Sequence, residues 1–277
     1  MFFTITSYLR YYLNAKTKFE VHSPFVFDFV NEILEDDRQY YAFEQVKRIY
    51  QNLLHNDRII EVTDLGAGSK HTKGTSRKIS KIAKTAVSPL PKGQLLFRII
   101  NFYKPEKLLE LGTSFGISTL LQSTTSSKSQ MITIEGCPEI AKVANNHFSK
   151  FPKTEIKLRI GDFASQLSKA IAELGHLDYV YFDGNHKKEP TLNYFHTCLN
   201  ASHENSIFIF DDIHWSQDME KAWAEIKNHP SVTLSIDLYS IGLIFFRTSF
   251  KSKQHYALIK SWKKPWKMGF FGSNIPQ

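Results

Sequence analysis

KLLELGTSFGIS, Lys107 to Ser118, is the stretch on which the fold turns. A hydrophobic run reaches Glu110, a turn containing Gly112 and Gly116 follows, and Leu120 and Leu121 begin a helical pattern. That order describes a strand feeding a helix through a tight loop. Glycine lets such a loop bend sharply and lets the backbone approach a ligand with no side chain in the way. In open α/β sheets the loop after the first strand is where a nucleotide sits. Gly-x-x-x-Gly after a strand is a weak signal alone, so its meaning depends on the surrounding sequence.

Downstream, short β-like runs alternate with helical segments: QMITIE, EIKLRIGD, LDYVYFDG and SIFIFDD are each followed by a helical stretch. Alternation of this kind implies βαβ units and a parallel sheet buried on both faces. VTLSIDLYSIGLIFFR then reads as two strands joined at Tyr239-Ser240. The expected fold is α/β: a Rossmann-like three-layer sandwich over residues 105–250. Its sheet is expected to be mostly parallel and seven-stranded, ending in an antiparallel hairpin.

Residues 1–104 read as a mostly helical extension or cover. Ser23 and Pro24 suit the start of a helix carrying Phe25, Phe29 and Ile33. A second helix is expected from Tyr41 to His55, a third from Ser76 to Thr85, and a fourth, QLLFRIINFY, after Pro91-Lys92-Gly93. A basic, Gly-rich loop lies at 64–78. It contains DLGAG (Asp64 to Gly68), a rival nucleotide turn that fails on context, because no amphipathic helix and no acid-terminated strand follow it. Lys73, Arg77 and Lys78 could offer charge to an anionic group there. Residues 251–277, with Trp262, Trp266, Phe270 and Phe271 among lysines, read as a basic aromatic tail without regular structure.

The 277 residues are 42% hydrophobic and 22% charged, which is the make-up of an ordinary soluble globular protein. No apolar run approaches the roughly 18 residues of a membrane span. The start, MFFTITSYLRYYL, lacks the marks of a signal peptide. Cys137 and Cys198 are too few for a disulfide framework or a zinc cluster. A cytoplasmic protein with reduced thiols is expected. The net charge of +8 raises nucleic acid, an anionic membrane or an acidic substrate as partners. The lysines, however, gather at Lys70–Lys84 and Lys251–Lys267, short of a domain-wide basic footprint. Nucleic acid is therefore not the expected partner, while Trp262, Trp266 and Phe270 beside lysines would suit an anionic membrane surface.

The candidate site follows from the strand ends. Glu135 ends the second β-like run, where an acid can accept hydrogen bonds from both ribose hydroxyls of an adenosine. Asp162, after Gly161, ends the third and can meet an adenine amino group or cap the next helix. Asp183, Asp211 and Asp212 end adjacent central strands and are expected to converge over the crevice. Three carboxylates that close repel unless a cation, shared protons or basic residues intervene. His186 can take a proton from an acceptor hydroxyl, imidazole being the commonest general base, and Lys187 is the alternative base. His214 is a further candidate to face the crevice, Trp215 a candidate aromatic wall, and Cys137 a packing residue on the adenine side.

On LLELGTSFGIS, ITIEG, Gly161-Asp162, LDYVYFDG and IFIFDD, residues Lys107 to about Arg247 resemble the class I S-adenosylmethionine-dependent methyltransferases, close to the small-molecule, catechol-type O-methyltransferases. The resemblance implies transfer of a methyl group from S-adenosylmethionine to a small-molecule acceptor. It implies a cofactor loop of Glu110, Gly112, Thr113, Ser114, Gly116 and Ser118, followed by Glu135, Gly136, Cys137, Asp162, Phe163 and Asp183. It also implies a divalent metal, Mg2+ or Ca2+, on Asp183, Asp211 and Asp212, although the family usually has Asn where Asp212 stands. His186 falls where the catechol enzyme has a general-base lysine. Related enzymes are often dimers, so a homodimer is an expectation. The alternative reading is a methyltransferase-like protein that binds nucleic acid or modifies RNA through its basic loop and tail. A nicotinamide-dependent oxidoreductase would require the tighter Gly-x-Gly-x-x-Gly turn, which is missing here.

Overall fold

The computed structural model describes residues 2–63, 75–126, 128–151 and 155–267. The DLGAG loop, Lys73, Phe270 and Phe271 lie outside these described residues. The first part of the chain is helical: α1 (Phe2–Asn14), α2 (Pro24–Phe29) continuing as a π-helical turn over Val30–Leu34, and α3 (Tyr41–Leu54). In α3, Phe43, Val46, Ile49 and Leu53 are buried, and their spacing of three or four residues puts them on one helical face. Strands β1 (Ile59–Val62) and β2 (Thr75–Lys78) form a small antiparallel pair, with Ile60 opposite Arg77. The expected third helix is therefore shorter at its start. Residues through Lys78 pair with β1, and α4 runs only from Ile79 to Ala86. Helix α5 (Leu90–Tyr103) begins after Pro89 and ends on Lys104 in the left-handed conformation, just before Pro105.

The main sheet begins with β3 (Lys107–Leu111), followed by α6 (Ile117–Ser123), β4 (Gln130–Glu135), α7 (Pro138–Phe148), β5 (Glu155–Ile160) and α8 (Phe163–Leu174). Next come β6 (Tyr179–Phe182), α9 (Lys188–Leu199), β7 (Ile207–Asp211) and α10 (Gln217–Asn228). Strands β8 (Leu234–Asp237), β9 (Ile241–Phe245) and β10 (Gln254–Ala257) complete it. The strand order is β10-β8-β9-β7-β6-β3-β4-β5. Strands β5 through β7 are parallel neighbours, and β9 runs antiparallel between β7 and β8, as a terminal hairpin requires.

The sheet has eight strands where seven were expected. The extra strand, β10, comes from the tail that was expected to be irregular. It pairs parallel to β8, and Leu258 and Ile259 behind it are buried. Both faces of the sheet are covered, because successive residues point to opposite sides. Leu108, Tyr179, Tyr181, Ile207 and Ile209 pack with α2 and α5, whereas Leu109, Val180, Phe182, Phe208 and Phe210 pack with α8, α9 and α10. A third cluster lies where α3 and α4 meet α6 and α7.

Candidate active site

The loop between β3 and α6 lies against the next strand ends. Gly112 N–H and Thr113 N–H both donate to Ile134 O on β4 (3.0 and 3.2 Å), and Asp183 N–H donates to Leu111 O (2.8 Å). Gly112 has φ +108°, and a Cβ there would stand 1.9 Å from the Asp183 carbonyl oxygen. No other residue fits that position without moving the Asp183 backbone. Gly116, at φ +81°, brings the start of α6 against the Phe148 ring, 2.5 Å from where a Cβ would be. Ser114 adopts φ +48° and presents its N–H to Glu135 Oε2 (2.8 Å), while Cys137 N–H donates to Glu135 Oε1 (2.9 Å). Burial pushes the Glu135 carboxyl above its ordinary range, and these backbone hydrogen bonds oppose that rise. Gly136 links Glu135 to Cys137, which is buried and precedes α7.

Beneath the loop lies a buried polar network. Glu110, with 0% exposure, accepts from Ser118 Oγ (2.9 Å), Thr133 Oγ1 (2.7 Å), Gln122 Nε2 (2.6 Å) and Thr119 Oγ1. Thr113 Oγ1 and Thr133 Oγ1 share a hydrogen bond of 2.6 Å. Glu110, Thr113 and Ser118 thus direct their polar atoms into the protein, where they tie β3, β4 and α6 together. Asp162 caps α8, its Oδ1 accepting Ser165 N–H at 3.0 Å, and hydrogen bonding from Ser165, first its side chain and then its N–H, lowers the Asp162 pKa. Phe163 packs edge-on against Tyr194 and lies so close to Gly184 that a Cβ there would be 2.5 Å from its ring.

Asp183, Asp211 and Asp212 do converge, and a basic residue meets them. Lys92, from the first turn of α5, places Nζ 2.6 and 2.7 Å from the two oxygens of Asp211 and 3.6 Å from Asp212 Oδ1. Ser88 donates to Asp183 Oδ2 (2.9 Å), and Tyr181 OH reaches the same oxygen at 3.3 Å. Burial and then the neighbouring Asp183 push Asp211 up to about 7. Asp183 and Asp212 are raised as well, burial being the main cause for each. Burial would lower the Lys92 pKa, but the three carboxylates outweigh it and hold the ammonium. Ser88 and Lys92 escaped the sequence reading because they lie in the N-terminal cover.

His186 Nε2 stands 3.8 Å from Asp183 Oδ1. Lys187 immediately precedes α9 and is exposed. His214 does not offer a free ring to the crevice. Its Nδ1 pairs with Glu220 Oε1 (2.9 Å), its Nε2 with Asp237 Oδ2 (2.8 Å), and the ring stacks on Tyr239. Trp215 is 67% exposed.

Residues 109–213, from the end of β3 to just beyond Asp212, match a protein family described as a methyltransferase domain. The segment is thus similar in sequence to methyltransferase domains. Solved structures share its architecture. A Podospora anserina methyltransferase bound to SAH is 17% identical, with 82% of this chain and 97% of that chain covered at a TM-score of 0.56. An O-methyltransferase from Streptomyces achromogenes involved in tomaymycin synthesis, in complex with SAM, is 13% identical (80% and 95% covered, TM-score 0.53). An O-methyltransferase from Bacillus cereus in complex with SAH is 19% identical (79% and 96% covered, TM-score 0.50). At these identities the likeness is one of fold. No curated protein matches the sequence. The matched segment contains Glu110 through Asp212, but Ser88 and Lys92 precede it. Among the described residues, no helix is long and apolar enough to cross a membrane.

Proposed function

We propose that this chain is an S-adenosylmethionine-dependent methyltransferase acting on a hydroxyl of a small-molecule acceptor, held in the crevice over Asp183, Asp211 and Asp212. The observation that carries the reading is Glu135. Its two oxygens are aimed by the N–H groups of Ser114 and Cys137, and each keeps lone-pair capacity for a ribose hydroxyl. The residues fit a nucleoside in other respects. Gly112 and Gly116 let the loop close tightly on Asp183 and Phe148, which sets Ser114 N–H on Glu135, and Asp183 follows β6 beside the loop.

When bound, the cofactor supplies a methyl group on a positively charged sulfur. The chain's own contribution is alignment, since holding two reactants in line removes much of the entropic barrier. The acceptor oxygen forms its bond to the methyl carbon as the carbon–sulfur bond breaks. The electron pair passes to sulfur, leaving S-adenosylhomocysteine, and the hydroxyl proton passes to a base. His186, beside Asp183, takes that proton, with Lys187 next to it at the rim.

Calorimetry with S-adenosylhomocysteine tests the reading directly. Wild type is expected to bind, and Glu135→Ala to bind about tenfold or more weakly, which corresponds to about 1.4 kcal/mol or more. Well-folded wild type that binds none would overturn the proposal.

A further inference from the structure

Three acids at the ends of β6 and β7 require positive charge close by, and in this protein it is covalently attached. We propose that Lys92 is the resident cation of the Asp183–Asp211–Asp212 centre, so that the site functions without a divalent metal ion. The proposal rests on the methyl-transfer reading only for what the centre faces; the cation assignment itself stands on geometry. Lys92 Nζ lies within 2.7 Å of both Asp211 oxygens, and Asp211 is 2% exposed. The Lys92 side chain is itself largely buried. Asp183 Oδ2 is taken by Ser88 and Tyr181. Magnesium requires a nearly octahedral oxygen shell at about 2.1 Å, and calcium requires six to eight oxygens. Either ion would have to displace the ammonium from the carboxylate it already spans.

Lys92 has little freedom to leave. The turn before α5 is tied to the site by Ser88 on Asp183, and the next residue, Gly93, packs so tightly that a Cβ would lie 2.7 Å from Leu121 Cδ1. The start of a helix also repels a cation, so the position is favourable only because acids face it. This differs from a metal site in which lysine is a bystander: here Nζ spans both Asp211 oxygens and lies 3.6 Å from Asp212 Oδ1.

The test is Mn2+ binding by calorimetry, with thermal unfolding measured in parallel, on wild type, Asp211→Asn, Lys92→Met and the Lys92→Met/Asp211→Asn double variant. Wild type is expected to show no Mn2+ site, and no Mn2+-dependent rise in Tm, that Asp211→Asn removes; a site that survives Asp211→Asn lies elsewhere, as at His176, Asp178 and His203. Lys92→Met keeps the aliphatic stem but removes the charge. It is expected to gain one site at least tenfold tighter than any in wild type, with a Mn2+-dependent rise in Tm, and the double variant to lose both. Wild type binding one Mn2+ that Asp211→Asn abolishes would overturn the assignment, and so would a folded Lys92→Met that gains no site. A Lys92→Met too unstable to isolate leaves the wild-type titration to decide alone. S-adenosylhomocysteine binding is measured on the same wild type with and without chelator. No binding in either condition would defeat the methyl-transfer reading and leave the Mn2+ titrations standing, whereas binding lost only with chelator would overturn the cation assignment.

Discussion

Glu110 and Asp36 are both nearly buried acids, and the difference in their surroundings gives two separate predictions. Glu110 has four side-chain donors and no ionic partner. Glu110→Ala leaves those donors facing one another in the interior, and unsatisfied buried groups cost about 1–3 kcal/mol each before relaxation. A loss of roughly 3 kcal/mol in urea unfolding is expected, with a smaller loss for Glu110→Gln, which still accepts. Asp36 instead accepts from Arg38 N–H and Nε (both 2.8 Å) and from Tyr40 OH (2.9 Å), and faces Arg98 at 3.4 Å. Burial alone would raise its pKa, but the hydrogen bonds from Arg38 and Tyr40 and the charge of Arg98 bring it down to about 2. A carboxyl depressed in the fold stabilises it above the ordinary range near pH 4 and loses that contribution as pH falls toward 2. Asp36→Asn should therefore cost about 1–2 kcal/mol at pH 7, and the gap from wild type should close as pH falls from about 4 to 2. A gap that stays constant over that range would remove Asp36 from the account.

Among the elements, β10 and α1 depend on each other. β10 extends the sheet beyond β8, and the residues after it hold the first helix: Tyr11 OH donates to Leu258 O, and Lys264 Nζ to Ala15 O (2.6 Å). Ile259 joins Tyr11 and Ala15 in a small buried cluster. Ending the chain at Phe250 would expose the β8 edge and remove that support, and an open edge invites association. The shortened chain is expected to show a lower Tm and faster hydrogen exchange across Phe2–Asn14, with exchange in β3 and β4 unchanged. Exchange in α1 equal to that of the full chain would show that the helix stands without the tail. The sequence did not reveal β10 because QHYA is short and mostly polar. Its pairing with β8 is made by backbone groups, which no side-chain pattern records.

For the molecule as a whole, the sheet was legible from hydrophobic runs that end in acids, because a parallel strand buried on both faces must be apolar throughout and can turn polar only where it emerges. The same argument located Glu135, Asp183, Asp211 and Asp212, since strand ends in such a sheet open onto one crevice. By itself, then, the sequence determined the βαβ order, the terminal hairpin, the glycine loop and the row of acids, all local consequences of spacing and composition. Tertiary structure alone decided what those acids meet. It turned Glu110 inward onto Ser118, Thr119, Gln122 and Thr133, fixed His214 between Glu220 and Asp237, and brought Lys92 from the helical cover onto Asp211. Those partners come from separate parts of the chain. Only folding sets the distances between them, and the charge balance at the site depends on those distances.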